Sequence, residues 1–110
     1  MPTPTPSSLK SVAININATT GENVIIAAVA TAVITVYQLI LIPDAATLLH
    51  FEDGAAGPDL DGQGFSMGIN GQLSLPFTGE PWLKTTAGNA LILDQSGTAH
   101  IGGLIYFTQA

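Results

Sequence analysis

Between Glu22 and Asp44 the chain carries no charged side chain, and the run GENVIIAAVATAVITVYQLILI (21–42) is long enough to cross a bilayer if it is a helix. Whether it is helix or strand therefore decides the fold class. From Asn23 to Ile42, eleven residues are β-branched: Val24, Ile25, Ile26, Val29, Thr31, Val33, Ile34, Thr35, Val36, Ile40 and Ile42. Branching at Cβ restricts χ1 in a helix and packs well on a pleated face, so this is a strand composition. From Thr31 the sequence also alternates, with Thr31, Val33, Thr35 and Tyr37 on one face and Ala32, Ile34 and Val36 on the other. The basic residues that anchor and orient a membrane helix are missing from the flanks, Lys10 being the nearest on the N-terminal side. The reading is two strands, about 22–29 and 31–42, with a tight reversal near Ala30, and no membrane span.

The remaining chain repeats short apolar runs between turn residues. KSVAININ (10–17) alternates and ends in ATTGEN; ATLLHFED (46–53) is followed by the loop GAAGPDLDGQG (54–64). FSMGI (65–69) and QLSLPF (72–77) flank Asn70-Gly71, a strong hairpin signal because both residues tolerate positive φ. WLKTT (82–86), ALILDQ (90–95) and TAHIGGLIYFTQ (98–109) complete the set. Apolar residues nowhere recur at helical spacing between caps. Eight or nine short strands at about ten-residue intervals predict an all-β fold, an antiparallel β-sandwich of jelly-roll type.

One chain of 110 residues is one domain, and folding at this size buries roughly 65% of the unfolded surface, enough for a core without staples. The absence of cysteine excludes disulfides and thiolate metal sites. Lys10 and Lys84 are the only lysines or arginines, against eight carboxylates. A net charge of −6 argues against nucleic acid, whose phosphates need basic side chains to displace their counterions. Charged residues make up 9% of the chain, where a soluble domain has about 25%, so the surface must be rich in uncharged atoms that favour association with protein, first of all with copies of itself.

Several motifs invite a chemical reading. Gly64-Phe65-Ser66-Met67-Gly68 matches the G-x-S-x-G nucleophile elbow, with Asp94 and His100 following in serine-hydrolase order. That mechanism needs a strand running into a helix at the serine, whereas Gly68 leads straight into Asn70-Gly71, so no catalytic residue is assigned. Asp59-Leu60-Asp61-Gly62 resembles part of a calcium loop, but alignment to an EF-hand puts Gly57 and Gly68 where carboxylates are required. What remains is an irregular site helped by Glu52 or Asp53, set against a solvated Asp-Gly turn, and the turn is preferred. His50 and His100 lack zinc-ligand spacing and are expected to bond locally or at a subunit contact. No metal and no cofactor is expected. Asn17-Ala18-Thr19 is a sequon in form only, since MPTPTPSSLK has neither the basic nor the apolar region of a signal peptide. Trp82, the single tryptophan, is expected to anchor a core or an interface.

From about Gly21 onward the chain resembles the small capsid decoration, or cement, proteins of tailed bacteriophages. The likeness rests on an apolar strand pair, then Gly71-Gln72-Leu73-Ser74-Leu75-Pro76-Phe77, then the run from Pro81-Trp82-Leu83-Lys84 to Asn89-Ala90-Leu91-Ile92-Leu93, and a closing Gly102-Gly103-Leu104-Ile105-Tyr106. The stretch after Ala30 lacks the basic residues often present there, and the Pro-Thr arm lies outside the shared pattern. The resemblance implies a β-rich homotrimer without catalytic chemistry, made in the host cytoplasm and seated on the outer surface of the phage head, where it bridges major capsid protein subunits. The alternative is a tail-fibre or appendage tip that binds host-surface carbohydrate or receptor.

On this reading residues 1–9 form an extended Pro/Thr-rich arm and 10–110 the sandwich. Alternating proline favours a polyproline-like path, so Pro2, Thr3, Pro4, Thr5, Pro6 and Leu9 are expected to dock on a neighbouring virion subunit. Tyr37, Leu39, Leu41 and Trp82, on uncharged strand surfaces, are expected at the subunit interface.

Overall fold

A computed structural model of the chain describes residues 8–110. The arm positions Pro2, Thr3, Pro4, Thr5 and Pro6 lie outside the described residues; Leu9, half-buried, leads into the first strand. Nine strands follow: β1 Lys10–Asn17, β2 Gly21–Ile26, β3 Ile34–Pro43, β4 Thr47–Asp53, β5 Phe65–Met67, β6 Leu73–Leu75, β7 Leu83–Lys84, β8 Leu91–Gln95 and β9 His100–Gln109. They form two antiparallel sheets. Sheet A has the order β1-β9-β3-β6, with β7 also paired to β3; sheet B has the order β2-β8-β4-β5. β1 pairs with β9, β2 with β8, β3 with β6 and β7, and β4 with β5, which is the order produced when one long antiparallel hairpin rolls up into two facing sheets. The protein is an all-β sandwich with jelly-roll winding.

The opening stretch is β2, a connecting loop and β3, and among the described residues no helix is long and apolar enough to cross a membrane. Three sequence expectations are corrected here. β2 and β3 are not a hairpin pair: the chain leaves sheet B after Ile26, turns at Ala30-Thr31, where Ala32 N–H bonds to Val29 O, and enters sheet A at Ile34. Asn70 does take positive φ (57°), but β5 pairs with β4 and β6 with β3, so Asn70-Gly71 links the sheets instead of closing a hairpin.

The third correction concerns β3 itself. Its pairing with β9 slips between Val36 and Gln38, so Tyr37 is the extra residue of a β-bulge. Strict alternation would put Tyr37, Leu39 and Leu41 opposite Ile34 and Val36. The bulge changes the phase, and Ile34, Val36, Leu39 and Leu41 all face inward and are buried.

Those four meet Ile14, Ile16, Ile101, Ile105 and Phe107 from the rest of sheet A, and Ile26, Leu49, Phe51, Leu91 and Leu93 from sheet B. Each fully buried side chain of this size contributes about 1.5–3 kcal/mol relative to exposure. On β9 the inward position between Ile101 and Ile105 belongs to Gly103, which lies opposite Leu41 and Ile14. A Cβ there would stand 2.0 Å from Ile40 O and 2.8 Å from Leu41 Cα, so glycine is what lets β9 seat against β3. The one fully buried amide at the rim, Gln95, is paired throughout: Oε1 accepts from Thr47 Oγ1 and Ala99 N–H, and Nε2 donates to the carbonyls of Thr19 and Ala99.

Candidate functional site: an interaction surface

The outer face of sheet A follows from its registers. Ala13, Leu104, Ile40 and Ser74 form one row across β1, β9, β3 and β6; Asn15, Gly102 and Ile42 form the next; Ser11, Tyr106 and Gln38 flank them on the other side. Ile40, Ile42 and Leu104 are 36%, 43% and 42% exposed, and none of these ten residues is charged. Neighbouring strands stand about 4.8 Å apart, so Leu104 and Ile40 are in contact range and Ile42 extends the patch along β3. Gly102, with open space where a Cβ would stand, keeps the middle of the patch low.

One end of this face holds an aromatic corner. The bulge sends Tyr37 towards β6, where its ring lies 6.2 Å from Phe77. Trp82 is 41% exposed; its backbone N–H bonds to Val36 O and its Nε1 donates to Pro76 O at 2.8 Å, which fixes the indole against the edge of the sheet. Beside it a shallow pocket of about 170 Å³ is lined by Val33, Thr35, Tyr37, Lys84, Thr108 and Ala110.

Of the four residues expected at the subunit interface, Leu39 and Leu41 are therefore corrected: the bulge turns them into the intramolecular core, out of reach of a partner. Tyr37 is buried apart from its contribution to the pocket wall, and Trp82 is exposed. The β3 residues that do face outward are the intervening Ile40 and Ile42. Sequence periodicity missed them because a bulge leaves no signature in a run of β-branched and aliphatic residues.

The outer face of sheet B carries the acidic groups, beside the exposed Val24 and Leu48. Glu22, Asp94 and His50 form one row across β2, β8 and β4, and Val24, Ile92 and Glu52 the next. Ile92 is buried although it lies outside the inter-sheet core, and Glu52 is only 8% exposed. The cover is the β4–β5 loop. It leaves β4 and reaches β2, where Ala56 N–H donates to Glu22 Oε2 (2.6 Å), so it must pass over β8. Its second half runs beside β4: Leu60 N–H bonds to Phe51 O, and Asp59 bridges Glu52.

The preferred solvated Asp-Gly turn is also corrected. The Asp61 side chain is 3% exposed, with Oδ2 accepting from Phe51 N–H (2.7 Å) and Oδ1 lying 3.2 Å from His50 Nδ1. Asp61 thus satisfies a strand N–H just where β5 has stopped pairing with β4. Asp59 Oδ2 approaches the same histidine nitrogen at 3.4 Å. The Asp53 carboxylate accepts from Thr86 N–H and Oγ1 and from Asn89 Nδ2. Burial pushes the Asp53 pKa up, but those hydrogen bonds outweigh it and leave it below the ordinary carboxylate value. Among the described residues no three His, Asp or Glu side chains are placed to hold a metal ion together.

Ser66, Asp94 and His100 do not converge as a triad. Ser66 stands on the edge strand β5 with no helix after it, Asp94 lies between Glu22 and His50, and His100, in the other sheet, holds Asp44 through Nδ1 at 3.0 Å. No protein-family model, curated protein or solved structure matches this chain.

Proposed function

We propose that this chain is a structural virion protein, a capsid decoration protein that binds the outer surface of a phage head as a homotrimer and bridges major capsid protein subunits. The observation that carries the reading is the distribution of charge between the two outer faces. Six of the eight carboxylates (Glu22, Glu52, Asp53, Asp59, Asp61, Asp94) belong to sheet B or its loop, whereas the exterior of sheet A offers Ile40, Ile42 and Leu104 in an uncharged surround. A chain of net charge −6 can approach another copy, or a capsid, through sheet A without bringing carboxylates together. Of the segments that carry the resemblance, 71–77 and 102–106 contribute β6 and part of β9, both in that sheet, while 81–93 spans β7 of sheet A and the start of β8 in sheet B. A trimer then presents three weak sites at high effective concentration, so each contact with the shell needs only modest affinity.

The test is to place a carboxylate on the face. Ile40→Asp and Leu104→Asp are expected to leave the monomer folded, to abolish the trimer in light scattering, and to abolish rebinding to cognate heads that lack the protein. A wild-type chain that is monomeric and ignores such heads would sink the proposal. The second reading, an appendage tip that binds carbohydrate, draws on the pocket bounded by Thr35, Tyr37, Lys84 and Thr108, whose hydroxyls and ammonium suit a sugar. It requires glycan binding that Lys84→Ala removes.

A further inference from the structure

Three carboxyl groups meet on the outer face of sheet B with no lysine or arginine beside them. Glu22 and Asp94 are cross-strand partners on β2 and β8, and Glu52 stands one row along on β4, opposite Ile92. Glu52 is more than nine-tenths buried, and its Oε1 is shut off from solvent without a hydrogen-bond partner. Its polar neighbours there are the Glu22 and Asp94 carboxyls, which can only accept when ionised. A hydrogen bond at that atom must therefore be donated by Glu52 itself.

The other titratable groups facing this cluster offer no alternative. On β4, His50 directs Nδ1 at Asp61 and Asp59 of the covering loop. Asp53, at the end of the same strand, is bound by Thr86 and Asn89. Lys10 and Lys84 belong to sheet A. A proton is thus what allows the three groups to stand together.

We propose that Glu52 is protonated at neutral pH and donates to Glu22, and that this shared proton latches the 54–57 loop over the outer face of sheet B. Glu22 is the link between the two halves of the latch, because the carboxylate that receives the proton also receives Ala56 N–H from the loop. When the proton leaves to solvent, Glu52 becomes a buried anion between two others. Repulsion then drives Glu22 away, Ala56 loses its acceptor, and Ile92 and Glu52 are uncovered. The electrostatic balance agrees: burial, then Glu22 and Asp94, push Glu52 up to about 8, while Glu22 is lowered by its contact with Glu52 and by Ala56 N–H.

Two NMR titrations of the full chain test this. The Glu52 side-chain carboxyl carbon is expected to titrate with a midpoint at or above pH 7, and the Ala56 amide proton to move upfield in step with it as its carboxylate acceptor is lost. In Glu52→Gln, which keeps a donor and cannot ionise, the Ala56 signal is expected to stay fixed over the same range. A Glu52 midpoint below pH 7, an Ala56 amide indifferent to it, or an Ala56 shift that survives in Glu52→Gln would each overturn the proposal. If the variant does not fold, the two wild-type titrations decide alone.

Discussion

The two sheets share one core and differ in what they show outside. Sheet A meets solvent with aliphatic side chains and glycine on long strands that nothing in the described chain covers; sheet B mixes carboxylates with the exposed Val24 and Leu48, and the chain spends the loop of residues 54–64 burying Ile92 and Glu52. The difference shows how one uncharged strand run and one acidic loop divide a small surface into a sociable side and a closed side. An apolar face left open is an interface in waiting. A buried acidic face, by contrast, is stable only while every acceptor has a donor.

The comparison can be broken first at the core, where both sheets depend on the same side chains. Leu41→Ala is expected to cost about 2–5 kcal/mol in urea unfolding, because it opens a cavity between the sheets. Its neighbour Ile42, on the outer face, is expected to tolerate alanine within about 0.5 kcal/mol in the monomer and to weaken only self-association. Equal losses at the two positions would contradict the bulge at Tyr37. Adjacent glycines make a parallel pair: Gly103→Ala must push β9 from β3 and lower the melting temperature, whereas Gly102→Ala meets open space.

Next comes the acidic side. Asp61→Ala leaves Phe51 N–H without its acceptor, with an expected loss of about 1–3 kcal/mol and exposure of His50. Calorimetry that registers no loss would return the loop to the status of a solvated turn.

The last effect is a matter of pH. Glu52 is raised from its ordinary value of 4.5 to about 8, so the folded chain binds more protons than the unfolded chain between those values. Its contribution to stability is complete below 4.5 and is lost as pH rises through 8. Glu22 and Asp53 are lowered from 4.5 and 3.8, so theirs is present above those values and lost as pH falls. Melting temperatures should therefore peak on the acid side of neutrality, and Glu52→Gln should flatten the alkaline limb while leaving the acid one.

Much of this was legible in the sequence. KSVAININ matches β1 to the residue through its alternation, and β-branching identified two strands within 22–42, although both were drawn too long towards the turn, where residues 27–33 form a loop. Pairing partners were not legible. Asn70-Gly71 encodes a turn with positive φ, but which strand lies beside 65–67 is decided by the free edge of β4, a long-range matter. The bulge was hidden because Tyr37, Leu39 and Leu41 suit either side of a sheet, and only the β9 register assigns them. The role of Asp61 was missed for a similar reason: a loop carboxylate signals its destination only when the strand N–H it satisfies is known to lack a partner.

The ladder between β1 and β9 runs from Lys10 opposite Phe107 to Asn17 opposite His100. The exterior of sheet A is therefore assembled from opposite ends of the folding unit, and a topology so rich in distant pairings folds on the slow, millisecond-to-second side of the range. On a ribosome the rows containing Leu104, Ile40 and Ala13 cannot come together until β9 has emerged. An unfinished chain has strands but no completed patch, so the surface proposed to recruit other copies is switched on only by completion of the fold.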